Sequence, residues 1–201
     1  TKVVLGAAGL PIGRQVVLRP GTATLSDADR DRLGLPLFVK PARGGSSIGI
    51  TKVSRAEDLD SAIAEARRFD PKVIVEAAIV GREVECGVLQ YPDGRVEASL
   101  PAELHIPGEP TGEPGRTEGD AFYDFDTKYL DDVCTFDLPA ELPEGETERL
   151  RALAVEAFHA LDARGHRVGE VPEQRPQGRA LVRVVTPVAA EHGWECGHTV
   201  I

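Results

Sequence analysis

The chain has 201 residues, enough to bury one good core or two small lobes. With 41% hydrophobic and 28% charged residues it has the ordinary balance of a globular protein, and its formal net charge of -10 argues against nucleic acid or anionic membrane as the main partner. A phosphate ligand stays open, because phosphates need only local cations.

No apolar run approaches the length of a bilayer span and no basic, apolar leader opens at Thr1, so a cytoplasmic protein is expected. Cys86, Cys134 and Cys196 are odd in number and widely spaced, which suits reduced thiols better than a disulfide framework. Met is absent even at position 1, and on that ground the chain is expected to be a fragment.

In chain order, residues 3–8 read as the end of a helix broken by Gly9 and Pro11, and residues 15–18 as a short strand. Residues 21–31 are polar, a surface connection or a short helix. A strand over 35–40 then closes on Lys40, a Gly/Ser turn follows at 44–49, and apolar Ile48, Ile50 and Val53 resume without a helical period. This predicts a β-hairpin with glycines at its tip.

A lysine ending a strand, followed by small residues whose N–H groups can approach closely, is what holding a phosphate requires. The lysine precedes the glycines, so this is not the GxxxxGK[ST] loop that opens a helix. Two readings stand equal on the pattern: a flap over a triphosphate, and a plain glycine-rich hairpin with Lys40 reaching to solvent.

Ser54 and Glu57 form a capping box, and Leu59, Ile63, Ala66 and Phe69 follow at helical spacing, predicting a helix over 56–68. The run KVIVE at 72–76 is a strand ending in a carboxylate. Residues 83–90 alternate as a second strand, with Cys86 as a small buried hydrophobe, and a turn at Pro92, Asp93 and Gly94 leads into a third over 95–100. Residues 105–119 are dense in Pro, Gly and Glu and predict a long loop.

That loop ends at AFYDFDTKYL, residues 121–130, which gathers four aromatics, a lysine and two aspartates. Leu150, Leu153, Ala154, Ala157, Phe158 and Leu161 then follow an amphipathic helix. After Ala163 the composition shifts to five Arg, four Glu, no Lys and no Asp, although residues 181–188 still suit one strand at a sheet edge. His192, Cys196 and His198 lack the spacing of a zinc site.

Residues 39–49, 75–83 and 122–130 together resemble the ATP-grasp ligases, and among them the D-alanine D-alanine ligases, in order and at compatible distances over about residues 1–161. The resemblance implies an α+β ATP-grasp fold of two small lobes with antiparallel sheets, the second incomplete. The lobes would be residues 1–79 with the phosphate hairpin and 80–163 with the lid loop, followed by an atypical tail at 164–201.

By that resemblance Lys40 contacts the ATP phosphates, and Gly45, Ser46 and Ser47 close over them through backbone amides. Glu76, Ala77 and Ile79 line the adenine pocket, and Glu83 holds the ribose hydroxyls. Lys128 reaches phosphate and Tyr129 bonds across to Ser46, shutting out water that would hydrolyse an acyl phosphate. The implied substrates are ATP and D-alanine, the implied product a peptidoglycan precursor, and the family is commonly dimeric.

The family's two Mg2+ ions are held by an Arg-x-Asp strand and a Glu-x-Asn pair. Here Arg167, Val168 and Gly169 stand where the first should fall, and the chain contains no Asn at all. Metal ligands are therefore not expected, nor is full turnover. The readings left are a weak or inactive ligase, a non-catalytic ATP-binding module, and a ligase with another acceptor.

Overall fold

The computed structural model describes residues 1–44, 47–79, 81–91, 93–105 and 135–163, and the backbone of 179–187. By contact density the chain divides into two units. Gly13–Ile79 forms the described part of a first lobe, and Thr1–Ile12, Val80–His105 and the described residues from Thr135 onward form a second.

In the first lobe, β1 (Gln15–Leu18), β2 (Leu37–Pro41), β3 (Thr51–Val53) and β4 (Val73–Ala77) make one antiparallel sheet in the order β1-β4-β2-β3. The alternation of β2 and β4 sends Leu37, Val39, Val73, Val75 and Ala77 to one face, where they form a core with Leu59, Ala62, Ile63 and Ala66 of α3 (Leu59–Arg67). Leu33, at the end of α2 (Asp27–Leu33), joins it. The Ser26 side chain caps α2 by accepting from the Asp29 N–H at 3.1 Å, so the polar stretch resolves into a capped helix.

The expected hairpin is present, with β2 and β3 antiparallel and Leu37, Phe38 and Val39 opposite Val53, Lys52 and Thr51. The expected capping box is not. A 3₁₀ turn over Ala56–Asp58 precedes α3, and neither it nor α3 receives a side-chain cap, so Ser54 lies too far upstream to reach the α3 amides. Phe69 also leaves the predicted apolar stripe: it follows the helix, is 49% exposed, and lies outside the core.

The second lobe is built on β5 (Gly81–Gln90). This strand pairs antiparallel with β6 (Val96–Ala98) at one end and β7 (Ala102–His105) at the other, and β7 pairs with β8 (Thr135–Asp137). His105 is therefore the last residue of a strand rather than the first of a loop. Along nearly its whole length β5 also pairs with β9 (Arg179–Pro187), from Gly81 opposite Pro187 to Leu89 opposite Arg179.

Val84, Cys86 and Val88 of β5 face Leu150, Ala154, Ala157 and Phe158 of α4 (Glu146–Ala160), whose spacing keeps them on one stripe. Burial pushes the Cys86 thiol up to about 11, so it sits there as a small hydrophobe. Leu5, from α1 (Lys2–Ala7), and Leu10 complete this core. Residues 1–12 thus belong to the second lobe and not, as the sequence suggested, to the lobe of residues 1–79.

Arg82 ties the start of β5 to β7. Its Nε donates to Glu103 Oε1 at 2.6 Å, its Nη2 to Glu103 Oε2, and the same Nη2 to the Glu141 carbonyl at 2.7 Å. Glu103 is buried, so removing its guanidinium is costly. Arg82→Ala is expected to lower stability in urea unfolding by about 2 kcal/mol, with Arg82→Lys recovering only part because it loses the fork geometry. A loss below about 0.5 kcal/mol would show that water replaces the pair at no cost.

Candidate functional site

The face of the first-lobe sheet opposite its core carries the predicted phosphate lysine. On β2 it presents Phe38 and Lys40, on β4 Ile74 and Glu76, on β1 Gln15 and Val17, and on β3 Lys52, as the strand register requires. Lys40 Nζ lies 2.7 Å from Glu76 Oε2, with the two side chains 23% and 14% exposed. They sit diagonally across the β2–β4 pair, since Phe38 is opposite Glu76 and Lys40 opposite Ile74. The face thus sets the Lys40–Glu76 ion pair beside apolar Phe38, Ile74 and Val17, with Gln15 and Lys52 at its flanks.

Lys40 leads into the glycine/serine turn. Gly45 and Ser46 lie outside the described residues, and Ser47 follows with φ 59, in the left-handed region that few side chains adopt. Its carbonyl accepts from the Ile50 N–H at 3.3 Å, and Gly49 is left-handed as well at φ 73. Backbone of this kind turns successive N–H groups toward a concavity suited to anions.

Beyond Glu76, the segment predicted to meet adenine is partly committed to the fold. The Ala77 side chain faces the core, its N–H donates to the Arg14 carbonyl at 3.0 Å, and the Ala78 N–H donates to Pro36 at 3.0 Å. Ile79 ends the lobe. The structure therefore brings Lys40 and Glu76 together and places Ser47, Ala77 and Ile79 in the same lobe. Glu83 belongs to the second lobe, on β5 opposite Leu104 and Val185. Lys128 and Tyr129 lie outside the described residues, as do Arg167 to Gly169 and the His192 to His198 stretch.

Sequence reading missed two residues that support the turn. Arg43 Nε and Nη2 bond Asp70 Oδ2 and Oδ1 at 2.9 and 3.0 Å, and Asp70 Oδ1 also accepts from the Lys72 N–H at 3.0 Å. The Arg43 guanidinium and then that N–H hold the Asp70 carboxyl well below the usual carboxylate range, so it stays charged at any neutral pH. The partners are 27 positions apart, and no local pattern links them.

Among the described residues one group has the makings of a metal site: Glu103, His105 and Asp137, whose ligand atoms lie within 4.8 Å of one another. It does not fit magnesium. One donor is an imidazole nitrogen, His105 Nε2 is already 2.8 Å from Asp137 Oδ2, and both Glu103 oxygens are taken by Arg82. A depression of about 410 Å³ beside Tyr91, Phe158 and His159 contains none of the predicted residues. No helix among the described residues is long and apolar enough to cross a membrane.

Two α+β lobes with antiparallel sheets, one carrying a lysine and a glycine hairpin, define an ATP-grasp fold, and solved structures agree. The chain is similar to the VanG D-Ala:D-Ser ligase of Enterococcus faecalis at TM-score 0.67 and 26% identity, covering 98% of this chain and 50% of that one. It is similar to the D-alanine-D-alanine ligase of Coxiella burnetii at TM-score 0.67 and 27% identity, covering 99% and 44%.

A family model described as D-ala D-ala ligase C-terminus matches residues 4–170, and the chain belongs to that family. Curated D-alanine--D-alanine ligases of Nocardia farcinica and Rhodococcus opacus are each 64% identical to it over 165 residues, and that of Mycolicibacterium smegmatis is 56% identical. Those alignments cover 82% of this chain, and the chain spans about 43% of the length of these relatives.

Proposed function

We propose that the first lobe grips ATP as the nucleotide-binding part of a D-alanine D-alanine ligase, the enzyme that joins two D-alanines through an acyl phosphate. The observation that carries this is the half-buried Lys40–Glu76 pair at the foot of the glycine hairpin, on the sheet face away from the core. Lys40 would meet phosphate as a point charge, and Gly45, Ser46 and Ser47 would add backbone donors. With the Ala77 and Ala78 amides committed, Ile79 is the member of the hinge proposed to donate to the base.

Bound ATP supplies the phosphoryl group that activates a carboxylate. The ribose role of Glu83 and the closing roles of Lys128 and Tyr129 are carried over on sequence alone. So is D-alanine as acceptor, for which the D-Ala:D-Ser description of the Enterococcus faecalis relative names the closest rival.

Titration calorimetry of ATP into the chain, paired with a dipeptide assay on D-alanine, tests the reading. Binding is expected with a dissociation constant between about 10 μM and 1 mM, the range of ordinary substrate constants, with no dipeptide detected. Absence of binding at 5 mM nucleotide, about fivefold above that range, overturns it. A second reading, an ATP-binding module without turnover, is favoured by the lack of any Asn in the chain, and affinity indifferent to magnesium would support it.

A further inference from the structure

We propose that the corner formed by Phe69 and Asp70 positions the glycine hairpin by holding both of its stems, and so sets how tightly the turn holds a polyphosphate. The second half of that statement rests on the nucleotide reading above; the first does not. Asp70 acts on the entering stem. Only 2% exposed, it takes two bonds from Arg43, the second residue beyond β2, while a third from the Lys72 N–H ties it to the start of β4.

The Arg43 side chain is itself 80% exposed, so the pair does not serve to bury it. What a forked bond to a fixed carboxylate supplies is direction. It sets the heading of the chain as it leaves the sheet.

Phe69 acts on the leaving stem. A Cβ at Gly49 would lie 2.5 Å from Phe69 Cδ2, so the ring rests directly on the Gly49 backbone. This gives an account of a half-exposed aromatic that contributes nothing to the core: its surface is spent on the hairpin. It also accounts for glycine at position 49, where both φ 73 and the ring disfavour a side chain. Adjacent residues therefore hold opposite stems from one rigid point at the end of α3. A turn anchored at both stems has fewer conformations to lose when a ligand orders it, which strengthens binding without any new contact.

Amide hydrogen exchange in the nucleotide-free chain reads the anchoring with no ligand involved, and calorimetry with ADP reads its consequence. In Phe69→Ala and Asp70→Asn, exchange at Arg43 and Ile50, whose N–H groups bond the Asp70 carboxylate and the Ser47 carbonyl, should quicken about tenfold, the ratio that separates a tightened from a loosened local opening. The amides of β2, β4 and α3 should hold their rates. ADP should bind about tenfold more weakly.

Gly49→Ala in the Phe69→Ala background should cost less than the sum of the two changes, because the ring it would strike is gone. Should Asp70→Asn fail to fold, Arg43→Ala tests the same stem from an exposed side chain. Unchanged hairpin exchange in Phe69→Ala and Arg43→Ala overturns the anchoring, and exchange that rises equally throughout the lobe assigns the corner to general stability and overturns it too. Unaltered ADP affinity beside faster hairpin exchange overturns the link to binding. If the wild-type chain binds no ADP, the nucleotide reading falls and the exchange result alone decides the anchoring.

Discussion

Lys40→Ala is expected to weaken ATP binding by roughly 10- to 100-fold, the 1.5–3 kcal/mol typical of a charge-assisted bond to a half-buried ammonium. Lys40 lies near the end of β2 beside the turn, and its ammonium is 2.7 Å from Glu76 on a face that also presents Phe38, Ile74, Val17, Gln15 and Lys52. Such a position concentrates positive charge where the strand hands over to backbone amides. Lys40→Arg should not restore full affinity, because a planar fork replaces a compact charge. Calorimetry with ATP checks both, and equal affinity for wild type and Lys40→Ala would remove the lysine from the site and leave the hairpin a structural one.

Leu150→Ala should cost about 2–5 kcal/mol, a loss large beside the 5–15 kcal/mol that ordinarily holds a domain together. Leu150 is fully buried, in the first turns of α4, where it joins the cluster of Val84, Cys86 and Phe158. Truncation leaves a cavity that the neighbouring strand cannot collapse to fill. Urea unfolding followed by circular dichroism gives the number, and a midpoint that stays put would mean that α4 is not packed as described.

Local patterns in the sequence carried far. Gln15 to Leu18 form the strand their β-branched pair suggested, Leu37 to Val53 form the hairpin, and the period from Leu150 to Phe158 is that of α4. Each of these is decided within a few residues, where side-chain alternation or helical spacing is a direct imprint of which face is buried. Lys40 was legible for the same reason, being the polar end of an apolar run.

Partnerships between distant residues left no such imprint. Arg43 and Asp70 each look like surface charges until folding brings α3 under the turn, and Phe69 looked like one more member of a helical stripe. The helix end at residues 3–8 was visible, but not which sheet it would meet. Ser54 failed as a cap because the intervening 3₁₀ turn moved the helix start three residues on, a displacement that spacing alone does not encode.

The long pairing of β9 with β5 has a consequence for keeping the molecule apart from its own copies. Main-chain donors and acceptors join without regard to side-chain identity, so a segment of unusual composition can still shield a ten-residue strand. Stripped of that cover, β5 would offer an open row of amides and carbonyls to any passing chain, an invitation to aggregate. Among the described residues β9 pairs with β5 alone, so the segment moves the edge of the sheet outward to a strand that carries Arg179, Arg183 and Pro187, residue types that discourage further pairing.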